Sequence, residues 1–245
     1  MAWIRSLLYA IFMVVTVIPY ALACLLWRPL PLRLRYKLTV GWPTMCVWAA
    51  KYILGIRWRL IGEENLPEGP AIVLSKHQSA WETMFFAGWM PKDICYVYKR
   101  ELNWIPFFGW SLAALEMVPI NRQRGSESFE QIIRHGRRIL DDGRWLLMFP
   151  EGTRTAPGKI GKYKSGGARV AVRLGTQVIP IAHNAGELWP RNAFIKRPGL
   201  VTVSIGPVIQ TEGLTADQVN QQVETWIETE MRRLNPERYP ESQPH

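Results

Sequence analysis

The segment Ser75-Lys76-His77-Gln78-Ser79-Ala80-Trp81-Glu82 follows directly on an apolar run and sets a carboxylate five residues after a histidine. An imidazole at the carboxyl end of a strand stands where open α/β sheets hold their ligands. A carboxylate just inside the next helix can fold back on the ring, fix its tautomer and stabilise the imidazolium. Such a pair is a general base for an alcohol, and no serine nucleophile is needed if the substrate's own hydroxyl attacks. Residues Ser79 to Glu82 also have the spacing of a capping box, in which Glu82 would only cap a helix.

Two further segments carry positive charge. Ile120-Asn121-Arg122 closes a short apolar run, and Arg122 with Arg124 suits a bidentate grip on phosphate. Phe149-Pro150-Glu151-Gly152-Thr153-Arg154 closes another and leads through Lys159, Lys162 and Lys164 to Gly166-Gly167. Gly152 lets the backbone approach an anion, while Thr153, Arg154 and lysines such as Lys159 supply donors. Glu151 can orient the arginine or accept from a substrate hydroxyl. The segment is not a nucleotide P-loop. Gly152 to Gly158-Lys159 is one residue too long, and Ile160 stands where a hydroxyl should hold magnesium. Gly109-Trp110-Ser111-Leu112-Ala113 has nucleophile-elbow spacing, but no strand runs into it.

The elements that must position these residues follow from hydrophobic texture. Short apolar runs predict strands at Arg57–Ile61, Ala71–Ser75, Ile94–Tyr98, Met117–Ile120, Trp145–Phe149, Val178–Ile181 and Val201–Ile205. Helical segments between several of them make the class α/β. The clearest helix runs over Ser126–Leu140. The last runs over Ala216–Leu234, with Thr215 and Gln218 as a capping box and Val219, Val223, Trp226, Ile227 and Met231 as its buried stripe. Residues 236–245 are Pro-rich and polar and are expected to be disordered.

The N-terminus is different. No residue from Ser6 to Trp27 is charged, a run of roughly 33 Å as a helix and long enough for a bilayer core. Trp3 and Trp27 bracket it as interfacial anchors, and Arg28, Arg33, Arg35 and Lys37 follow it. By the positive-inside rule the main domain is expected on the cytoplasmic face. Ala21-Leu22-Ala23 could be a signal-peptidase site, but the apolar run continues past it and the basic cluster would hinder export. A second apolar stretch, Leu38 to Ile56, is interrupted by Gly41, Pro43 and Lys51, so it should lie in the interface or pack on the first. The expected organisation is a membrane-anchoring segment, 1–56, a catalytic domain, 57–235, and a tail.

The chain has 245 residues, a net charge of +10 and 12 tryptophans, which favours anionic partners and a membrane surface. The basic residues are dispersed and carry no nucleic-acid signature, so no nucleic-acid partner is expected. Three cysteines without a C-x-x-C pair and four unclustered histidines point to a reducing compartment and no structural metal.

His77 with an acid at the fifth position, Asn121-Arg122, Phe149 through Arg154, and Val178-Ile179-Pro180-Ile181 resemble the four ordered blocks of glycerolipid acyltransferases. The resemblance is nearest to 1-acyl-sn-glycerol-3-phosphate acyltransferases and covers roughly Ile56 to Pro207. Lys99-Arg100-Glu101-Leu102 and Pro106-Phe107-Phe108-Gly109-Trp110 are similar to that family's stretch between the first two blocks. The resemblance implies a mixed sheet flanked by helices, like that of glycerol-3-phosphate acyltransferase, with an N-terminal membrane-associated helical element. It implies His77 as base for the sn-2 hydroxyl of lysophosphatidate and acyl-CoA or acyl carrier protein as donor. Arg122, Gly152, Thr153 and Arg154 would hold the phosphate, and Glu151 the glycerol. No cofactor is implied, and the setting would be a membrane such as the bacterial inner membrane. The family usually has Asp where this chain has Glu82. The backbone must then accommodate an arm about 1.5 Å longer, a displacement of the size that can cost catalysis about a hundredfold.

Overall fold

The computed structural model describes residues 1–105, 108–121 and 123–239. Seven strands rich in Val, Ile and Leu form one mixed sheet in the order β1-β7-β6-β2-β5-β3-β4. They are β1 (Ile56–Ile61), β2 (Ile72–Ser75), β3 (Ile94–Lys99), β4 (Val118–Ile120), β5 (Trp145–Met148), β6 (Val178–His183) and β7 (Gly199–Ile205). All seven predicted strands are present, with ends shifted by at most two residues. Every neighbouring pair is parallel except β6–β7. The near-continuous apolar runs of β2, β5 and β6 reflect burial on both faces. Ile72, Val73, Leu74, Leu146, Leu147, Val178, Ile179 and Ile181 have no exposed surface.

Three pairings matter for chemistry. β2 lies between β5 and β6, with Leu74 opposite Met148 and Pro180. The chain leaving β2 toward His77 and the chain leaving β5 toward Phe149 therefore emerge side by side at the carboxyl edge of the sheet. β3 beside β5 carries β4, which ends at Ile120, on its other flank.

Helices α3 (Trp81–Trp89), α4 (Phe108–Ala114), α5 (Gly125–Asp141), α6 (Gly166–Leu174), α7 (Ala185–Leu188) and α8 (Ala216–Leu234) complete the domain. The α8 capping box forms as its sequence requires, Thr215 Oγ1 accepting from the Gln218 N–H and Gln218 Oε1 from the Thr215 N–H. Val219, Val223, Ile227 and Met231 are buried, whereas Trp226 is only half-buried. Residues 236–239 depart from the expected disordered tail. Pro236, Glu237 and Arg238 form a turn, and the Tyr239 ring is buried with its hydroxyl 2.7 Å from Gln78 Nε2.

The N-terminal segment is a helical pair, α1 (Ala2–Leu26) and α2 (Leu32–Ala49), the second ending in a π-helical turn at Ala50–Leu54. α1 is long and apolar enough to cross a membrane. Polar atoms spaced along it tie it to the rest of the protein. Ser6 Oγ accepts from the Lys196 N–H, Tyr9 donates to the Cys46 carbonyl, and Tyr20 to the Leu38 carbonyl. Trp42 Nε1 donates to Thr16 Oγ1. The second apolar stretch thus packs on the first, one of the two arrangements its interruptions allow. On the outer side, Ile4, Leu8, Ile11, Val15, Ile18 and Leu22 recur at helical spacing and are 44–63% exposed.

Candidate active site

The loop after β2 is held at both sides of His77. Its N–H donates to Glu151 Oε1 at 2.9 Å, and its carbonyl accepts from the Thr155 N–H at 2.8 Å. The imidazole stacks on Phe149 with ring centroids 3.8 Å apart, and 15% of the side-chain surface is open. Nδ1 lies 2.9 Å from Glu82 Oε1. The same oxygen accepts from the N–H groups of Gln78, at 3.0 Å, and Ser79, at 2.8 Å. One carboxylate oxygen of Glu82 thus meets the imidazole and the two N–H groups of the loop ahead of α3. The longer arm of Glu at this position makes the contact without a gap.

Glu82 is fully buried. Burial is the strongest single influence on its acidity and opposes its charge. The neighbouring His183 and His77 imidazoles and the Ser79 N–H outweigh it and hold the carboxyl below its ordinary value. An ionised acceptor fixes the proton of His77 on Nδ1, so Nε2 keeps its lone pair and is the basic nitrogen.

Glu151 has a different role from the one expected. It neither orients Arg154 nor presents a free face to a hydroxyl. It is buried, with Oε1 on the His77 N–H and Oε2 3.1 Å from Lys76 Nζ. Lys76 has no exposed surface, and its ammonium also meets Glu228 Oε1 of α8 at 2.7 Å. Tyr163 donates to that same oxygen at 2.7 Å. Burial acts most strongly on Lys76 and would discharge it, but Glu151 and Glu228 together raise its pKa above the ordinary value. Sequence reading passed over Lys76 and Glu228. Lys76 lay inside the motif as an unassigned neighbour. Glu228 is one of several acids on α8, and nothing in the local pattern marks it as the buried one.

His183 of β6 lies beneath the same loop without any exposed surface. Its Nε2 is 2.9 Å from the Lys76 carbonyl and its Nδ1 accepts from the Ala185 N–H at 3.3 Å, so the ring is a neutral Nε2–H tautomer. Burial lowers its pKa from 6.5, against the pull of Glu82. The unfolded chain then binds a proton that the folded chain refuses, so stability falls as pH drops below about 6.5. The depressed carboxyl of Glu82 adds a loss of the same sign at lower pH. Denaturation curves at pH 7.5 and 5.5 should differ by at most about 1.4 kcal/mol in total, an average slope of about 0.7 kcal/mol per pH unit. His183→Gln should flatten it, and an equal slope in that variant would remove His183 as the cause.

Beside the loop, across Phe149, runs a groove of about 300 Å³. Its floor is apolar, formed by Val97, Ile120, Phe129, Ile132, Met148 and Phe149, and two cations, Lys164 and Arg169, line it with Gly152. His77 is not a lining residue; it stands one ring away, against Phe149. Gly152 has φ +67°, in the left-handed region, and a Cβ there would approach Lys164 Nζ to 3.1 Å. Of the residues expected to bind substrate, only Gly152 faces this groove among those described. Thr153 and Lys159 are exposed outside it, and Arg154 is half-buried with its Nε buried and unpartnered. Asn121 serves the backbone: its side chain accepts from the Gln123 N–H, and its carbonyl from Ser128 Oγ at the start of α5. Arg122 lies outside the described residues. Lys164 and Arg169 are thus the cations that line the groove among the described residues. Lys164 is set by its N–H on the Pro150 carbonyl, and Arg169 by stacking 4.6 Å over Phe129.

Ser111 lies within α4, which follows a 3-10 turn at Arg100–Trp104 and not a strand, so the nucleophile elbow is absent. It lines instead an apolar cavity of about 120 Å³ between α1, α2, α3 and α4.

The sequence model of the acyltransferase family matches residues 57–184. The chain is 42% identical, over 84% of its length and 82% of the relative's, to a 1-acyl-sn-glycerol-3-phosphate acyltransferase of Pseudomonas aeruginosa. It is 26% identical to one of Limnanthes douglasii over 90% and 78% of the two chains. The fold superposes on the crystal structure of the 1-acyl-sn-glycerophosphate acyltransferase of Thermotoga maritima with a TM-score of 0.79, covering 96% of this chain and 98% of that one at 23% identity.

Proposed function

Because the chain belongs to the acyltransferase family, we propose that it moves a fatty acyl group from acyl-CoA or acyl carrier protein to the sn-2 hydroxyl of lysophosphatidate, forming phosphatidate. The observation that carries this reading is the Nδ1–Glu82 contact, which leaves His77 Nε2 as a lone-pair base beside a groove with an apolar floor and cationic lining. Nε2 takes the hydroxyl proton as the oxygen attacks the thioester carbon. The tetrahedral adduct expels the thiolate, breaking the C–S bond, and the imidazolium returns its proton to sulfur. General base action of this kind contributes roughly 10²- to 10⁴-fold.

The acceptor's phosphate is assigned to Lys164, in the segment after β5, and Arg169 of α6, with Arg154 of that same segment and Arg122, which follows β4 in sequence, as further cations. A charge-assisted hydrogen bond is worth roughly 1.5–3 kcal/mol. Lys164→Ala and Arg169→Ala should therefore each raise KM for lysophosphatidate roughly 10- to 100-fold while kcat changes little. Initial rates against acceptor concentration measure this. An unchanged KM in both variants, with a raised KM in Arg154→Ala, would move the phosphate site to the 153–154 turn.

Association with the membrane is attributed to the aliphatic stripe of α1, which offers lipid a continuous apolar face. The basic residues after α1 favour a catalytic domain on the cytoplasmic side.

The test is purified protein in detergent with lysophosphatidate and either oleoyl-CoA or an acyl carrier protein thioester, read as thiol release and as phosphatidate by mass. Release with one donor and not the other identifies the donor. No release above blank sinks the reading. Faster acylation of a lysophospholipid bearing a head group would shift the acceptor while keeping the chemistry.

A further inference from the structure

We propose that Glu228 of α8 is a positioning residue for the base, acting through Lys76 and Glu151 to hold the His77 main chain and to set negative charge behind its ring. This rests on the reading of His77 as the base. α8 contributes no residue to the groove, yet Glu228, 152 residues from Lys76 in sequence, is the partner nearest the ammonium. The chain of contacts is continuous. Glu228 Oε1 holds Lys76 Nζ at 2.7 Å, and Lys76 Nζ holds Glu151 Oε2 at 3.1 Å. Glu151 Oε1 then holds the His77 N–H at 2.9 Å. The side chains of Lys76, Glu151 and Glu228 are at least 94% buried, so water screens none of these charges effectively.

Charge counting gives the second half of the proposal. One ammonium stands between two carboxylates, leaving one negative charge in excess behind the catalytic loop, in addition to that of Glu82. Buried ion pairs of this sort seldom add stability over apolar replacements, so the arrangement calls for another role. Excess negative charge near an imidazole favours the imidazolium that forms when His77 takes its proton. The charged and titratable groups around His77 are Glu82 on α3, Glu151 after β5, Lys76 in its own loop, His183 on β6, and Glu228 with Tyr163 beyond Lys76. Tyr163 remains a neutral donor, since burial and Glu228 push its phenol well above the ordinary value. Glu228 can therefore be made neutral without a new charge replacing it.

The experiment is the pH dependence of kcat/KM and kcat in Glu228→Gln, with the wild type and Tyr163→Phe measured alongside. In Glu228→Gln the acid limb should move down by roughly 0.5 to 1 pH unit. kcat should fall roughly 10- to 100-fold, with KM for the acceptor within about twofold. Tyr163→Phe, which removes a contact but no charge, should leave the limb in place. A limb unmoved in Glu228→Gln, with activity loss explained by a smaller folded fraction, overturns the proposal. If Glu228→Gln does not fold, the apolar pair K76M/E228M replaces it as a test of positioning, since it keeps the single excess charge on Glu151 but cuts its tether to α8. Its kcat should fall with KM unchanged, and full kcat overturns the proposal. Failure of the parent reading is separately visible: His77→Ala would then keep the wild-type limb.

Discussion

His77→Ala should lower kcat by roughly three orders of magnitude while KM for the acceptor stays within a few-fold, as expected for a group that acts only in the transition state. The ring has 15% of its surface open and is not a lining residue of the groove. Its removal therefore takes away proton transfer and little binding. Glu82→Gln should follow closely, with a loss of roughly 10²- to 10³-fold. The amide oxygen can still accept from the Gln78 and Ser79 N–H groups and from Nδ1, but the negative charge that stabilises the imidazolium formed in the reaction is gone. Glu82→Asp should lose less than Glu82→Gln, because it keeps the charge and shortens only the arm. Rapid-quench measurement of a single turnover separates these chemical effects from product release. Retention of more than a tenth of wild-type kcat by His77→Ala would exclude the imidazole as base.

The largest loss of stability should come from Lys76→Met. Two buried carboxylates, Glu151 and Glu228, would keep their places without the ammonium that faces both. Breaking a buried ion pair on one side costs roughly 3–5 kcal/mol, a large part of the marginal stability of a domain this size. Tyr163 would still donate to Glu228, and His77 to Glu151, so proton uptake by one carboxyl is the expected escape. The variant should accordingly lose less at pH 5 than at pH 8, against the acid loss expected of the wild type. Denaturation midpoints at the two pH values check this. The combined K76M/E228M variant should be more stable than Lys76→Met alone, because Glu228 is no longer left charged. Equal destabilisation in both would show that Lys76 contributes packing and not charge.

Local order is what the sequence expresses most clearly. The seven strands announce themselves as short runs of Val, Ile and Leu, and the α8 cap as Thr215 and Gln218 at the required spacing. His77 and Glu82 could be paired because a strand end and a helix start lie within five residues of each other. Contacts across the sheet were not legible in the same way. Lys76 meets Glu228 because β2, β6 and α8 pack together, and no short-range pattern records that. Glu151 looked like a substrate contact because its neighbours are cationic. Its actual partners, a backbone N–H and a buried lysine, arrive from the adjacent strand. Lys159 and Lys164 are equivalent as letters. Only the bond from the Lys164 N–H to Pro150 brings one of them to the groove.

A single oxygen, Oε1 of Glu82, receives two N–H groups of the turn that leads into α3 and the ring of the base together. Closure of that turn and orientation of the imidazole consequently depend on one atom. A molecule in which the turn has opened is loosened there and has lost the contact that directs its base. Catalytic competence in this protein is thereby a direct gauge of how much of the ensemble has that turn closed.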